Sequence, residues 1–546
     1  MLGIRCSALR FVAPLVALGL VLSACTSAAP TSPPSAPQQA QQAEQVLRDA
    51  LGDEPPFLDP AMATDGTSLL PIRQIFVGLV RFDKDLKVIP WAADSWDVSP
   101  DAKTYTFHIH KGIKWHDGQG EVTAQDFKYS IERTIKKKES TVSMLYLGDI
   151  VGAQDLLDGK VESLESVKVV DPYTLAITID APKAYFLGKL VYPTSYAVKK
   201  DAVERGGDAW SSKPETVIGA GPFKLTEWTH DQRLVLTRFD DYWKGKASLA
   251  RIEMPIVKDE NTRMSLYEKG DLDMVYVPSG QLDRVKSDPK LSKQLISYAT
   301  LTIYYLAMNQ AKAPFDKKEV REAFNYAVNK QQLTDVALKG LLTPADGIVP
   351  PGMPGHNDHL KPLGFDTNKA KELLGQAGYP EGRGFPPVSL VTRQGAGTYK
   401  KIAETLTGIY KQNLGLDLTV EEMEWGAFLA QVQRGNAPPA YVLAWGADYP
   451  DPQNFLDILF HTGSKNNRTN YHNEKVDQLL DQAATERDVD KRMSLYNQAE
   501  QMIVDDTPWV PLAFGQRWLL KREYVQDVEL TPMDLLYYFP IKIAAH

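Results

Sequence analysis

Residues 441–456 read YVLAWGADYPDPQNFL. The run from Tyr441 to Ala444 is apolar and short, as a buried strand is, and Trp445 and Gly446 end it. Pro450 and Pro452 then hold the backbone as an ordered turn rather than a helix. This places an acid, Asp448, between two large aromatics, Trp445 and Tyr449, at the end of a strand. Such a group can hold a positively charged ligand while the rings exclude water. The plainer reading of Asp448 is a turn residue or a helix cap.

Outward from this stretch, strands are expected at 387–392 and 416–421, with helices at about 367–377, 399–413 and 474–504. Residues 300–308 (TLTIYYLAM) read as a further strand. Asp316 and Glu319 look like a capping box for a helix ending near Gly340, with Val320, Phe324, Ala327 and Val328 as its apolar stripe. Residues 343–364 are a Pro- and Gly-rich loop. Its His356 and His359 lack a third ligand nearby, so a metal site is not expected there. Earlier in the chain, residues 72–82 read as a helix running into a strand. Residues 104–110 alternate cleanly, with Tyr105, Phe107 and Ile109 on one face and His108 and His110 on the solvated one. Thr123 with Asp126 boxes the start of a helix whose buried stripe is Phe127, Ile131 and Ile135. Residues 219–225 (GAGPFKL) lack the Gly-Lys-Ser/Thr of a phosphate loop. Strands alternate with helices over long stretches, and antiparallel-looking pairs occur too, so the fold class is α/β in two or more lobes.

The chain has 546 residues, 43% hydrophobic and 24% charged, with a net charge of −8. That length exceeds one simple core, and the mildly acidic balance argues against nucleic acid as the main partner. The only cysteines, Cys6 and Cys25, lie in the first 25 residues, so the body has no disulfide, thiol nucleophile or thiolate metal site. No G-x-S-x-G or H-E-x-x-H motif occurs, and no cofactor motif. A binding module is therefore expected, with an exported hydrolase as the rival class. At the N-terminus, Arg5 and Arg10 precede a 12-residue apolar run, 11–22, too short to span a bilayer. Residues 22–25 (LSAC) resemble a bacterial lipobox. Residues 1–24 then read as a lipoprotein signal peptide, with Cys25 the lipidated mature terminus. Residues 25–45, rich in Pro, Ser, Ala and Gln, read as a flexible tether.

Five segments together carry a resemblance. They are 55–60 (PPFLDP), 92–127 (AADSWDVSPDAKTYTFHIHKGIKWHDGQGEVTAQDF), 219–228 (GAGPFKLTEW), 304–328 (YYLAMNQAKAPFDKKEVREAFNYAV) and 445–455 (WGADYPDPQNF). In this order, behind a lipobox, the body resembles the extracellular solute-binding proteins of peptide ABC importers, family 5, the oligopeptide-binding branch. The resemblance implies a type II periplasmic-binding-protein fold: two lobes joined by a hinge, plus a small extra domain. Lobe I would comprise 46–76, 189–300 and 516–546, the small domain 77–188 and lobe II 301–515. It implies that Asp448 pairs with a peptide's α-ammonium beside Trp445. Tyr276, Tyr305 and Trp425 would line the cleft, and the backbone from Thr64 to Gly66 would pair with the peptide as an added strand. The implied partners are a peptide, a membrane permease and a lipid anchor, with the protein a monomer. Some family members carry an Arg three residues before the Trp. Val442 stands there in this chain, and Arg393 is the candidate for the ligand carboxylate. The family also includes binders of oligosaccharides, nickel complexes and other solutes.

Overall fold

The computed structural model describes residues 45–546 apart from 279, 396 and 434. The expected signal peptide, Cys25 and the tether up to residue 44 lie outside the described residues. Gln45 is already fixed to the body: its side chain donates to the Ile543 carbonyl at 2.7 Å and accepts from the Ile543 N–H at 3.1 Å.

Two four-stranded sheets come from the first half of the chain. One has the order Val46–Arg48, Arg251–Pro255, Arg233–Arg238, Phe223–Thr229. The other is Ala93–Val98, Thr104–Ile109, Thr174–Thr178, Val167–Asp171. On Thr104–Ile109 the alternation read in the sequence holds, with Tyr105, Phe107 and Ile109 buried. His108 and His110 face outward and pair with Asp97 and Asp94, at 2.8 and 3.0 Å. The Thr123–Asp126 capping box forms and opens helix Ala124–Lys136, which buries Phe127, Ile131 and Ile135 completely. Burying each such side chain stabilises the fold by about 1.5–3 kcal/mol. Gly219 and Gly221 serve backbone approach rather than phosphate binding. A Cβ on either would stand 2.0 Å from the Ile75 carbonyl oxygen or 2.3 Å from that of Gln74, at the end of helix Gly66–Ile75.

The largest sheet runs Met274–Tyr276, Trp509–Lys521, Leu295–Met308, Ala440–Gly446, Ser389–Arg393, Thr419–Met423, with Thr343–Pro344 added beside Trp509–Lys521. Both of its faces are covered. Val442, Leu390, Leu306 and Val510 pack against helices Lys318–Tyr326, Thr367–Gln376 and Gly397–Leu414. Tyr441, Leu443, Val391 and Ile303 pack on the other face against Glu474–Thr485 and Val489–Asp506. A strand buried on both sides has no polar face, which is why residues 441–444 read as an unbroken apolar run.

Two expected helices differ. The Asp316–Glu319 box does not form. Lys317, in extended backbone, precedes helix Lys318–Tyr326. That helix stops well before Gly340 because Asn329 takes up an extended conformation and caps a new short turn, Lys330–Gln332. The stretch expected as one helix over 474–504 is two, Glu474–Thr485 and Val489–Asp506. Glu486 is extended, and the Asp488 side chain accepts from the Lys491 N–H, starting the second helix afresh.

Candidate ligand-binding site

Three neighbouring strands of the large sheet, Ser389–Arg393, Thr419–Met423 and Ala440–Gly446, run parallel. Their C-terminal ends therefore lie along one edge, where open α/β sheets place their ligands. Arg393 ends the first, Trp425 follows the second, Trp445 is the last residue but one of the third, and Asp448 follows it. Thr302 of the antiparallel strand Leu295–Met308 pairs with Gly446 at the same edge.

The turn after Gly446 is built on Asn454, which is fully buried. Its side-chain oxygen accepts from the Asp448 N–H at 3.0 Å and from Trp445 Nε1 at 3.2 Å. The helix-capping role falls to Asp451 instead. It accepts from the Gln453 N–H and pairs with Arg492 at 2.6 Å. The Asp448 carboxylate caps nothing, and among the described residues no Lys, Arg or His lies within ion-pair distance of it. Burial raises its pKa from 3.8 to about 6, although the Tyr146 hydroxyl, Asn454 and the charge of Arg73 each pull it down. Tyr146 stacks flat on Tyr192, centroids 3.8 Å apart, and the Tyr192 hydroxyl donates to the Ala63 carbonyl at 3.0 Å. Tyr449 is core: its ring lies over Tyr185, and its hydroxyl donates to Gln453.

Arg393 and Trp425 come together, the guanidinium 5.3 Å from the ring centre. No acid within 4 Å of Arg393 forms an ion pair with it among the described residues. Trp425 also stacks on Phe428. Tyr276 is 43% exposed. Its hydroxyl and that of Tyr298 both donate to Asp534, at 2.9 and 2.6 Å, while Arg517 Nε holds the other carboxylate oxygen at 2.9 Å. Against the effect of burial, Arg517 and the two hydroxyls keep Asp534 below the usual carboxylate range. Tyr305 belongs to the core rather than to an open wall. It is 2% exposed and stacks on Trp509 at 3.4 Å. Its neighbour Tyr304, on the opposite face of the strand, packs near Tyr399 instead. Thr64 is exposed and Asp65 extended, but Gly66 is already the first residue of a helix. Tyr146, Asn454 and Arg73 were not picked out from the sequence. Asn454 was within reach, six residues after Asp448. Tyr146 and Arg73 arrive from distant segments without a motif.

Among the described residues no group of three or more His, Cys, Asp and Glu could hold a metal ion, and no helix is long and apolar enough to cross a membrane. Two open grooves lie along Val489–Asp506 and are lined by none of these candidate ligand-binding residues.

The arrangement is that of a two-lobed binding protein of the type II periplasmic class. The structure superposes on the Escherichia coli murein tripeptide binding protein MppA with a TM-score of 0.84, at 29% identity, over 92% of this chain and 99% of the other. Against the unliganded open form of MppA the TM-score falls to 0.71. The profile of the bacterial extracellular solute-binding proteins, family 5 (Middle), matches residues 87–467, and the chain belongs to that family. It is 32% identical to the dipeptide-binding protein DppE of Bacillus subtilis, over 89% of each chain. It is 31% identical to heme-binding protein A of Haemophilus influenzae, over 83% of this chain and 84% of the other. These relatives are substrate-binding proteins, and the chain is an extracytoplasmic solute-binding protein of the ABC-importer type.

Proposed function

We propose that this protein is a peptide receptor that captures its ligand by the free α-ammonium on Asp448 and delivers it to an ABC permease. The observation that carries the reading is the Asp448 carboxylate, set among Trp445, Tyr146 and Asn454 with no cation of its own. A peptide main chain would add to the exposed backbone at Thr64 and Asp65. The carboxylate end would meet Arg393, whose guanidinium lies over Trp425 without an acid. Lipidation at Cys25 would hold the monomeric receptor at the membrane beside the permease, and the tether would leave it free to turn.

The lobes would be 46–76, 189–300 and 516–546 on one side and 301–515 on the other, with 77–188 as the small domain. The strands that cross between them support this division. Leu295–Met308 and Trp509–Lys521 pair in one register up to Ala299–Gln516 and in a shifted one from Ile303–Phe514. Contacts between the small domain and lobe II suit a closed state. Arg487 donates to the Pro100 carbonyl at 3.1 Å, and the Arg492 guanidinium lies 5.6 Å from the Tyr185 ring centre.

Native mass spectrometry of the purified protein, before and after gentle denaturation, tests the reading. Released peptides of a narrow length range, absent from Asp448→Ala, are the expected result. The haem-binding relative favours one other solute, and a single mass matching haem would replace the peptide reading. A released sugar or metal chelate would also overturn it.

A further inference from the structure

Arg517 lies on the crossing strand Trp509–Lys521, directly opposite Tyr298 of Leu295–Met308. Two residues further on, Leu519 lies opposite Tyr276. Side chains alternate along a strand, so Arg517, Tyr298 and Tyr276 share one face of the sheet. Asp534 reaches that face from the C-terminal segment and joins the three. It takes both tyrosine hydroxyls on Oδ1 and Arg517 Nε on Oδ2. The arginine is held but not used up. A guanidinium has five N–H donors. One goes to Asp534, and among the described residues Nη1 and Nη2 make no hydrogen bond and meet no second acid. The Tyr276 ring lies beside the guanidinium, 5.4 Å from Cζ to the ring centre.

The Arg517 side chain is 44% exposed. An accessible arginine is ordinarily mobile, and ordering its long side chain costs entropy. Here Asp534 and Tyr276 fix it beforehand, as a binding group is fixed. The face is a recess rather than open surface: Tyr276 is accessible, yet burial pushes its hydroxyl well above the ordinary range. Backbone hydrogen bonds tie this face to the Asp448 turn. The Leu301 N–H donates to the Pro532 carbonyl at 2.7 Å, and the Leu301 carbonyl accepts from the Ala447 N–H at 2.8 Å. Pro532 is two residues before Asp534, and Ala447 is one before Asp448. Across these links the α-carbons of Asp448 and Asp534 are at most about 22 Å apart, the reach of roughly six extended residues. Arg393 ends a strand three places from that of Arg517 in the sheet, so the two arginines meet different parts of a ligand.

We infer that Arg517, held by Asp534 and Tyr276, is a second carboxylate-binding residue of the ligand site and presents Nη1 and Nη2 to the two oxygens of one carboxylate. Two parallel N–H···O bonds are the contact for which a guanidinium is shaped. This rests on the peptide reading and deepens it. The carboxylate is an Asp or Glu side chain of the peptide, or the terminus of a peptide too short to reach Arg393.

Isothermal titration of the full-length protein in detergent at pH 7 tests this. Alanine peptides of roughly two to five residues are each compared as free acid and as amide, which reports a terminal carboxylate. The longest alanine amide carrying Glu, or Gln, at each position in turn reports a side-chain one. In the wild type at least one pair should favour the carboxylate by at least about tenfold, the factor that one added charge-assisted bond supplies. Arg517→Gln should bring that ratio to about one while the uncharged member of the pair binds as before. A purely structural role would instead weaken both members alike. Arg517→Lys keeps a cation beside Asp534 and should lower the ratio in part, since an ammonium lacks the planar fork. Arg393→Gln should leave the ratio of that pair unchanged. A wild type without preference in any pair, a preference that survives both Arg517 variants, or one abolished by Arg393→Gln alone would overturn the subsite. If the amides then still bind in an Asp448-dependent way, the subsite alone fails. If no free-amine peptide binds folded protein, the peptide reading fails with it.

Discussion

Asp448 carries a proton up to an unusually high pH in the empty protein, and this has two opposite consequences. An ammonium pairs only with the ionised carboxylate. Affinity should therefore be flat above the raised pKa of about 6 and fall as the pH drops through it. The fall is about tenfold per unit, until the lower pKa of the complex is reached. For folding of the empty chain the sign reverses. The folded state holds the proton more tightly than the unfolded one, whose pKa is near 3.8, so stability declines as pH rises from about 4 to 6 and stays lower above that. Asp448→Asn should accordingly raise the unfolding temperature of empty protein at pH 7 while weakening peptide binding by at least about tenfold, the loss of one charge-assisted bond. Thermal scans and titrations on the same variant check both. Residues 441–456 put Asp448 and Trp445 at the end of a strand but left Asp448 open to a capping role, which the structure gives to Asp451 instead. Tyr305 shares Trp445's face of the sheet but pairs with Leu443, back from the edge, and Trp509 covers it. In a strand buried on both sides, polarity does not say how far from the edge the core begins.

Helix Val489–Asp506 holds the turn after Gly446 through Arg492 and Asp451, whose side chains are only 5% and 13% exposed. Arg492→Ala would leave a buried carboxylate without its cation, costing about 3–5 kcal/mol. Arg492→Met, which keeps the packing of the side-chain stem, should cost less. The midpoint of urea unfolding measures both. His116 links two other elements, accepting from the Gly219 N–H at 3.3 Å and bonding the Gly221 carbonyl at 3.0 Å. Burial lowers its pKa from 6.5 to about 4. The unfolded chain takes up that proton first, so stability should fall as the pH drops from about 6.5 to 4. His116→Gln should flatten that decline. Local rules served well where a single side chain decides an element, as Thr123 and Asp126 do. They failed at Asp488, because the charged run Glu486-Arg487-Asp488 suits a solvated helix face as well as a break, and so concealed the cap that restarts the helix.

On the proposed lobe division, ligand capture depends on how the crossing strands bend at their register shift. At the register shift Gly515 lies hard against its neighbours: a Cβ there would meet Thr300 Oγ1 at 2.2 Å and Thr302 Cβ at 2.8 Å. Gly515→Ala should force the strands apart, costing about 1–3 kcal/mol of stability and weakening ligand affinity. Thr300→Ala in the same chain should restore part of both, as read by thermal unfolding and titration. The family resemblance disclosed the class of fold, because its five segments recur in order along nearly the whole body. The sheet order did not show, since Met274–Tyr276 pairs with Trp509–Lys521 across more than 200 residues and no local pattern encodes such a partner. The central claim, that Asp448 holds a free α-ammonium, is tested most directly by a double cycle: one peptide with a free or acetylated N-terminus, titrated into wild type and Asp448→Asn. The account predicts that acetylation weakens wild-type binding by at least about 1.5–3 kcal/mol and has little further effect in the variant. Equal binding of free and acetylated peptide by the wild type would contradict it.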